Sequence, residues 1–213
     1  MSVPETDLAP LIRALSDSRP EARERAAAQI FARGRALAQA SVELWLADPR
    51  LAECFVLGPS GQPEETVGVA VEPVNFEGIR AAFGSPALAD VPPDQDALEF
   101  ELALATAAAA GGMLLDVRLD ILTTRDRAGS GAIARYLQKF GQGIQQVELL
   151  VKDVDAATEI LRAPFGVAPV YPATRAGANA TRVNFFLVAT PPAGKLLIEL
   201  VEAKSAKGAE GTA

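Results

Sequence analysis

Ile144-Gln145-Gln146-Val147-Glu148-Leu149-Leu150-Val151-Lys152-Asp153, together with Leu196-Leu197-Ile198-Glu199-Leu200-Val201-Glu202, decides the reading of this chain. Both stretches alternate, so successive side chains of an extended strand fall on opposite faces. Val147, Leu149 and Val151 share one face of the first, and Leu196, Ile198 and Leu200 one face of the second. The other faces carry Gln146 and Glu148 in one strand and Glu199 in the other. A folded chain places such polar groups beside apolar neighbours only where they are satisfied or used.

Working outward, the surroundings of these strands are repeated. Ile79-Arg80-Ala81-Ala82-Phe83-Gly84 is echoed by Leu161-Arg162-Ala163-Pro164-Phe165-Gly166, roughly 80 residues later, which points to two copies of one supersecondary unit. The first copy runs through Val67 to Val71, a helix, Leu98 to Leu102 and Leu115 to Leu122. The second runs through 144–151, a helix over Asp155 to Arg162, Arg182 to Val188 and 195–202. Each unit reads as strand, helix and three strands. Asp120 is the positional echo of Glu199, and the third strands supply Glu99 and Glu101 in one copy and Arg182 and Asn184 in the other. Before the repeat, Asp17 to Ala40 predicts a helix with Asp17 or Ser18 as cap, serving packing or dimerisation. Gly58-Pro59-Ser60-Gly61-Gln62-Pro63 predicts a hairpin turn. The expected fold is α+β: two βαβββ modules forming a curved mixed sheet around a cavity. The expected divisions are an extension and hairpin at 1–63, modules at 64–140 and 141–203, and a disordered tail at 204–213.

Composition removes several classes of function. The 213 residues carry a net charge of −7 and no lysine and arginine block, so nucleic acid and anionic membrane surfaces are poor partners. The stretch from Leu102 to Leu115 is too short to span a bilayer, and Met1 to Pro10 lacks a signal-peptide pattern, so a cytoplasmic location is expected. Cys54 is the single cysteine and histidine is absent. No imidazole base or nucleophilic triad can therefore form, and any metal must rely on oxygen donors.

The paired units, opening on the Gln-Gln run and closing on Leu197-Ile198-Glu199-Leu200, resemble the vicinal oxygen chelate superfamily. Its branches include glyoxalase I, methylmalonyl-CoA epimerase and the metal-free bleomycin-binding proteins. The resemblance spans about residues 64–203 and implies a cavity whose metal ligands come from the first and last strands of each unit. Carried over position by position, these are Gln146, Glu199 and Asp120, with Thr66 where family members usually have His or Glu. It implies a lyase or isomerase that moves a proton next to a carbonyl of a small acid or thioester, with Glu199 and Glu148 catalytic and Arg182, Asn184 and Arg118 receiving substrate. The cofactor would be a divalent metal, one of Mg²⁺, Mn²⁺, Ni²⁺, Co²⁺ or Zn²⁺, or none. The alternative is a metal-free small-molecule-binding protein, and a homodimer is compatible with either. Residue by residue, Glu199 reads either as ligand or catalyst or as an ion-pair partner of Arg182 or Arg118, Gln146 as a ligand or a buried amide satisfied locally, and Asp120 as a ligand or part of a solvated row.

Overall fold

The computed structural model describes residues 8–59, 61–107, 114–190 and 194–202. The tail expected at 204–213, Ser60 of the predicted turn, part of the Leu102 to Leu115 stretch and the first seven residues lie outside the described residues.

Three helices precede the sheet: α1 (Ala9–Ala14), α2 (Pro20–Leu46) and α3 (Pro49–Cys54). The long helix is capped by Arg19, one or two residues later than the expected Ser18 or Asp17. Pro20 occupies its first turn, and Arg19 before it is extended at φ −86° and ψ 119°, because a residue followed by proline is pushed out of the helical region. Asp17 instead accepts the Arg19 backbone N–H at 2.9 Å. The helix buries Ala27, Ile30, Phe31, Ala38, Val42 and Trp45 along one side. Gly34 lies so close to the sheet that a Cβ there would sit 2.5 Å from the Val67 side chain. Thus α2 is a packing element laid on the sheet.

The seven-stranded sheet has the order β2-β3-β1-β4-β7-β6-β5. At its centre β1 (Glu65–Ala70) runs antiparallel to β4 (Gly143–Val151). Each is flanked in parallel by the last strand of its own unit: β3 (Leu114–Thr124) beside β1, and β7 (Gly194–Glu202) beside β4. Outside these lie β2 (Ala97–Ala107) and β6 (Arg182–Thr190), antiparallel, and the two-residue β5 (Arg175–Ala176). The crossover helices are α4 (Pro73–Ala82) and α6 (Val154–Arg162). Asp153 caps α6 by accepting the N–H groups of Asp155 and Ala156. In the first unit residues 83–96 pass from helix to strand as coil with one short 3₁₀ turn, so three strands represent it among the described residues. A further helix, α5 (Ala132–Phe140), joins the units and buries Ile133, Ala134 and Leu137; the strand and helix reading of the sequence passed over it.

The helix side of the sheet holds one continuous core drawn from both units. Phe76 packs edge-on to Phe100 at 4.9 Å, and Trp45 to Phe186 at 6.5 Å. Val117, Leu119 and Ile121 of β3, Val147, Leu149 and Val151 of β4, and Ile198 and Leu200 of β7 are fully buried there. The intervening residues of these strands consequently point the other way.

Candidate functional site

Opposite the core, a cavity of about 950 Å³ opens over the sheet. The strand register arranges its floor in two rows. In the first, Glu101 of β2 pairs with Asp120 of β3, Asp120 with Gly68 of β1, Gly68 with Gln146 of β4, and Gln146 with Leu197 of β7. In the second, Thr66 pairs with Glu148, Glu148 with Glu199, and Glu199 with Phe185.

Gly68 creates space in the floor. A Cβ at this position would lie 2.6 Å from Gln146 Cγ and 3.1 Å from Leu122 Cδ1, so Gln146 leans over the strand where every other residue would place a side chain. A β-bulge at the same point sets Gly68 against Gln146 and Val69 against Ile144. Gln145 is the extra residue, and both glutamines line the cavity. Bulges characteristically re-aim side chains in this way.

The Gln146 amide donates to both neighbouring carboxyl groups, at 3.0 Å to Glu148 Oε1 and 2.5 Å to Glu199 Oε2. Three side chains from adjacent strands thereby form one hydrogen-bonded unit. Burial raises the pKa of Glu148 to about 7, the Gln146 hydrogen bond pulls it down, and Glu99 and Glu101 push it up. Glu199 is held well above the usual carboxylate range, first by burial, then by repulsion from Glu148 and Glu99, against the Gln146 bond. Asp120 is raised likewise, by burial and then by Glu99, Glu148, Glu199 and Glu101. Burial brings Glu99 to about 7. Ionising one of these groups makes ionising the next harder, so they titrate as a set.

The expected residues divide between the two faces. Gln146, Glu148, Glu199, Asp120, Arg118 and Thr66 all line the cavity. Arg118 is engaged there by Glu64 at 3.2 Å and by Asp116 at 3.1 Å. Arg182 and Asn184 are on the opposite face. Arg182 pairs with Asp155 and with Glu202 at 3.0 Å, and the wholly buried Asn184 donates to Thr158 Oγ1 at 3.4 Å. Their polarity matches partners on α6, which presents Asp155 and Thr158 one turn apart, so the polar side of β6 faces a helix. Phe185 is its cavity residue. Glu65 lies on the helix side and pairs with Arg35 of α2. The rim adds Tyr171 and Arg175, which sequence reasoning missed. Gly68 was missed too, although a glycine inside an apolar strand signals a bulge or a close approach.

No family model matches the chain, and no curated protein matches it. Solved structures do. Methylmalonyl-CoA epimerase from Streptomyces coelicolor, as a variant in complex with 2-nitronate-propionyl-CoA, is 23% identical, with a TM-score of 0.51 over 67% of this chain and 98% of that one. A methylmalonyl-CoA epimerase in complex with methylmalonyl-CoA and NH₄⁺ is 23% identical, with a TM-score of 0.50 over 67% and 95%. The chain shares the epimerase fold. Methylmalonyl-CoA epimerase from Mycobacterium tuberculosis is 33% identical over 66% of this chain and 87% of its own, with a TM-score of 0.48.

The metal implied by the superfamily resemblance can be tested against the donors of this epimerase-fold chain. Gln146 turns its amide N–H groups, which cannot ligate, toward Glu148 and Glu199. Asp120 stands two strands from Gln146, with Gly68 between them. Thr66 offers a hydroxyl, and among the described residues no three acidic or cysteine side chains are gathered to hold an ion. As arranged, these donors do not fit a preassembled metal centre. Among the described residues, too, no helix is long and apolar enough to cross a membrane.

Proposed function

We propose that the cavity transfers a proton at a carbon adjacent to a carbonyl, in the manner of an epimerase or related isomerase, with Glu148 as base and Glu199 as acid. The observation that carries this reading is the cross-strand pair Glu148 and Glu199, bridged by Gln146 on the cavity floor. A base whose pKa is about 7 is half ionised near neutral pH, where general-base catalysis is most effective. A carboxyl group held protonated beside it can donate to a carbonyl oxygen. Glu148 takes the C–H proton, the C–H electron pair forms the C=C bond, and the carbonyl π pair moves onto oxygen. There it receives the Glu199 hydrogen bond. Return of a proton to the opposite face of that carbon regenerates the carbonyl with the centre inverted, and return to the same face gives exchange alone. The shared fold with methylmalonyl-CoA epimerases supports the same reading.

No step here passes through a metal; ligation by Gln146 would require its amide to turn its oxygen inward. The test is exchange of a substrate C–H for deuterium in D₂O, followed by proton NMR over thioesters including methylmalonyl-CoA, small keto acids and amine-bearing carbonyl compounds. Exchange with at least one class is expected, falling about a hundredfold or more in Glu148→Gln. A folded Glu148→Gln protein that exchanges at the wild-type rate would remove Glu148 as the base. A metal-free binding protein is the second reading, favoured by the Gln146 amide, whose N–H groups are turned toward Glu148 and Glu199. It predicts saturable ligand binding with no exchange in any class.

A further inference from the structure

We infer that the cavity takes a small molecule carrying an organic cation, an ammonium or guanidinium group, in preference to an anionic one. This names a ligand class for the cavity read above as a proton-transfer site, and so rests on that reading for its location.

The balance of charge in the lining comes first. Seven carboxyl groups and three arginines line the cavity. Each arginine is already engaged. Arg118 is held by Glu64 and Asp116, Arg175 pairs with Asp94 and lies over the Tyr171 ring at 4.4 Å, and Arg135 donates to the Ser130 carbonyl. A phosphate or carboxylate entering the cavity would have to displace an existing partner to gain a guanidinium.

Asp120 supplies the second and independent observation. It is 9% exposed, it lines the cavity, and among the described residues its carboxyl group has no hydrogen-bond partner. Its neighbour across the sheet is Glu101, and on its other side Gly68 presents no side chain. A largely buried carboxyl group that opens onto the cavity without a protein donor can take one from a ligand, and an ammonium or guanidinium N–H supplies it. On the same floor Phe185, next to Glu199 in register, meets Tyr171 edge-on at 5.9 Å. These rings offer apolar area and π faces to the body of an organic cation. An inorganic ion would use neither the rings nor a chamber of about 950 Å³.

Three congeners with one apolar body separate charge from size: 4-phenylbutylamine, 4-phenylbutanol and 4-phenylbutyrate, titrated calorimetrically into the full chain at neutral pH. The amine should bind about tenfold or more tighter than the alcohol, and the carboxylate most weakly, because an ammonium group stabilises the ionised carboxylates that burial disfavours and a further carboxylate opposes them. Asp120→Asn, or Glu101→Gln should the former fail to fold, should reduce the ratio of amine to alcohol affinity about fivefold or more. The inference is overturned if the carboxylate binds as tightly as the amine, if no congener binds, or if the ratio survives both substitutions. Excess Mg²⁺ that abolishes amine binding while itself binding at the Asp120 site would also overturn it, in favour of an inorganic ion. No turnover is read, so missing deuterium exchange leaves the ligand class standing, and missing charge preference leaves the proton-transfer reading standing.

Discussion

Raising the pH from 5 to 8 should destabilise the fold. Glu99 and Glu148 ordinarily titrate at 4.5 and are held at about 7 by burial. The folded state therefore binds protons more tightly than the unfolded chain, and between these two values it carries more of them. Stability falls with rising pH wherever the folded state holds the extra proton. Below about 4.5 both states are protonated and the groups contribute no difference; above about 7 the full cost of ionising them in the cavity has been incurred. A shift from 4.5 to about 7 corresponds, at about 1.4 kcal/mol per unit, to about 3 kcal/mol for one such group. Because Glu99 repels Glu148, the two contributions do not simply double. Carboxylates whose pKa values are lowered, such as Asp17 and Asp155 beside their arginines, act in the opposite sense but only at more acid pH. Urea unfolding at pH 5, 6, 7 and 8 and constant ionic strength should show a loss of about 3 kcal/mol or more across the series. Glu99→Gln should flatten the slope. A stability that is level or rises from pH 5 to 8 would refute the reasoning, because it would mean these carboxyl groups ionise in the folded protein as they do in water.

Gly68→Ala should cost about 1 to 3 kcal/mol, the range for overpacking, because its Cβ would meet Gln146 Cγ at 2.6 Å. It should also move the Gln146 side-chain amide resonances as the bonds to Glu148 and Glu199 break, and unchanged resonances would rule out Gly68 as the support of Gln146. Arg182→Ala removes an exposed pair with Asp155 and Glu202. It should change stability by less than about 1 kcal/mol and leave cavity ligand affinity unaltered, whereas weakened binding would return Arg182 to the site.

The faces of β3, β4 and β7 were legible because each sets a wholly apolar side against one that carries charge, and a slip of one residue would exchange them. The face of β6 was not. Arg182 and Asn184 make one side of it look polar, but α6 offers Asp155 and Thr158 to these residues, so polarity there marks a helix contact. The bulge that brings Gln145 to the cavity beside Gln146 interrupts the period of two, which no alternation rule anticipates. Helix α5 was legible but passed over: Ile133, Leu137 and Phe140 recur at helical spacing, in a segment no shorter than α6.

By itself, the sequence determined the paired α+β units, the oxygen-only donor chemistry that follows from having no histidine, and the Gln146, Glu148 and Glu199 face. These follow from local periodicity and composition, which short-range sterics translate directly into structure. Only the tertiary structure decided that Gly68 opens room for Gln146, that Asp120 is largely buried without a hydrogen-bond partner among the described residues, and that the cavity arginines are already engaged. Those properties depend on which strands become neighbours and what crosses above them, and contacts between residues distant in the chain exist only once the sheet has formed.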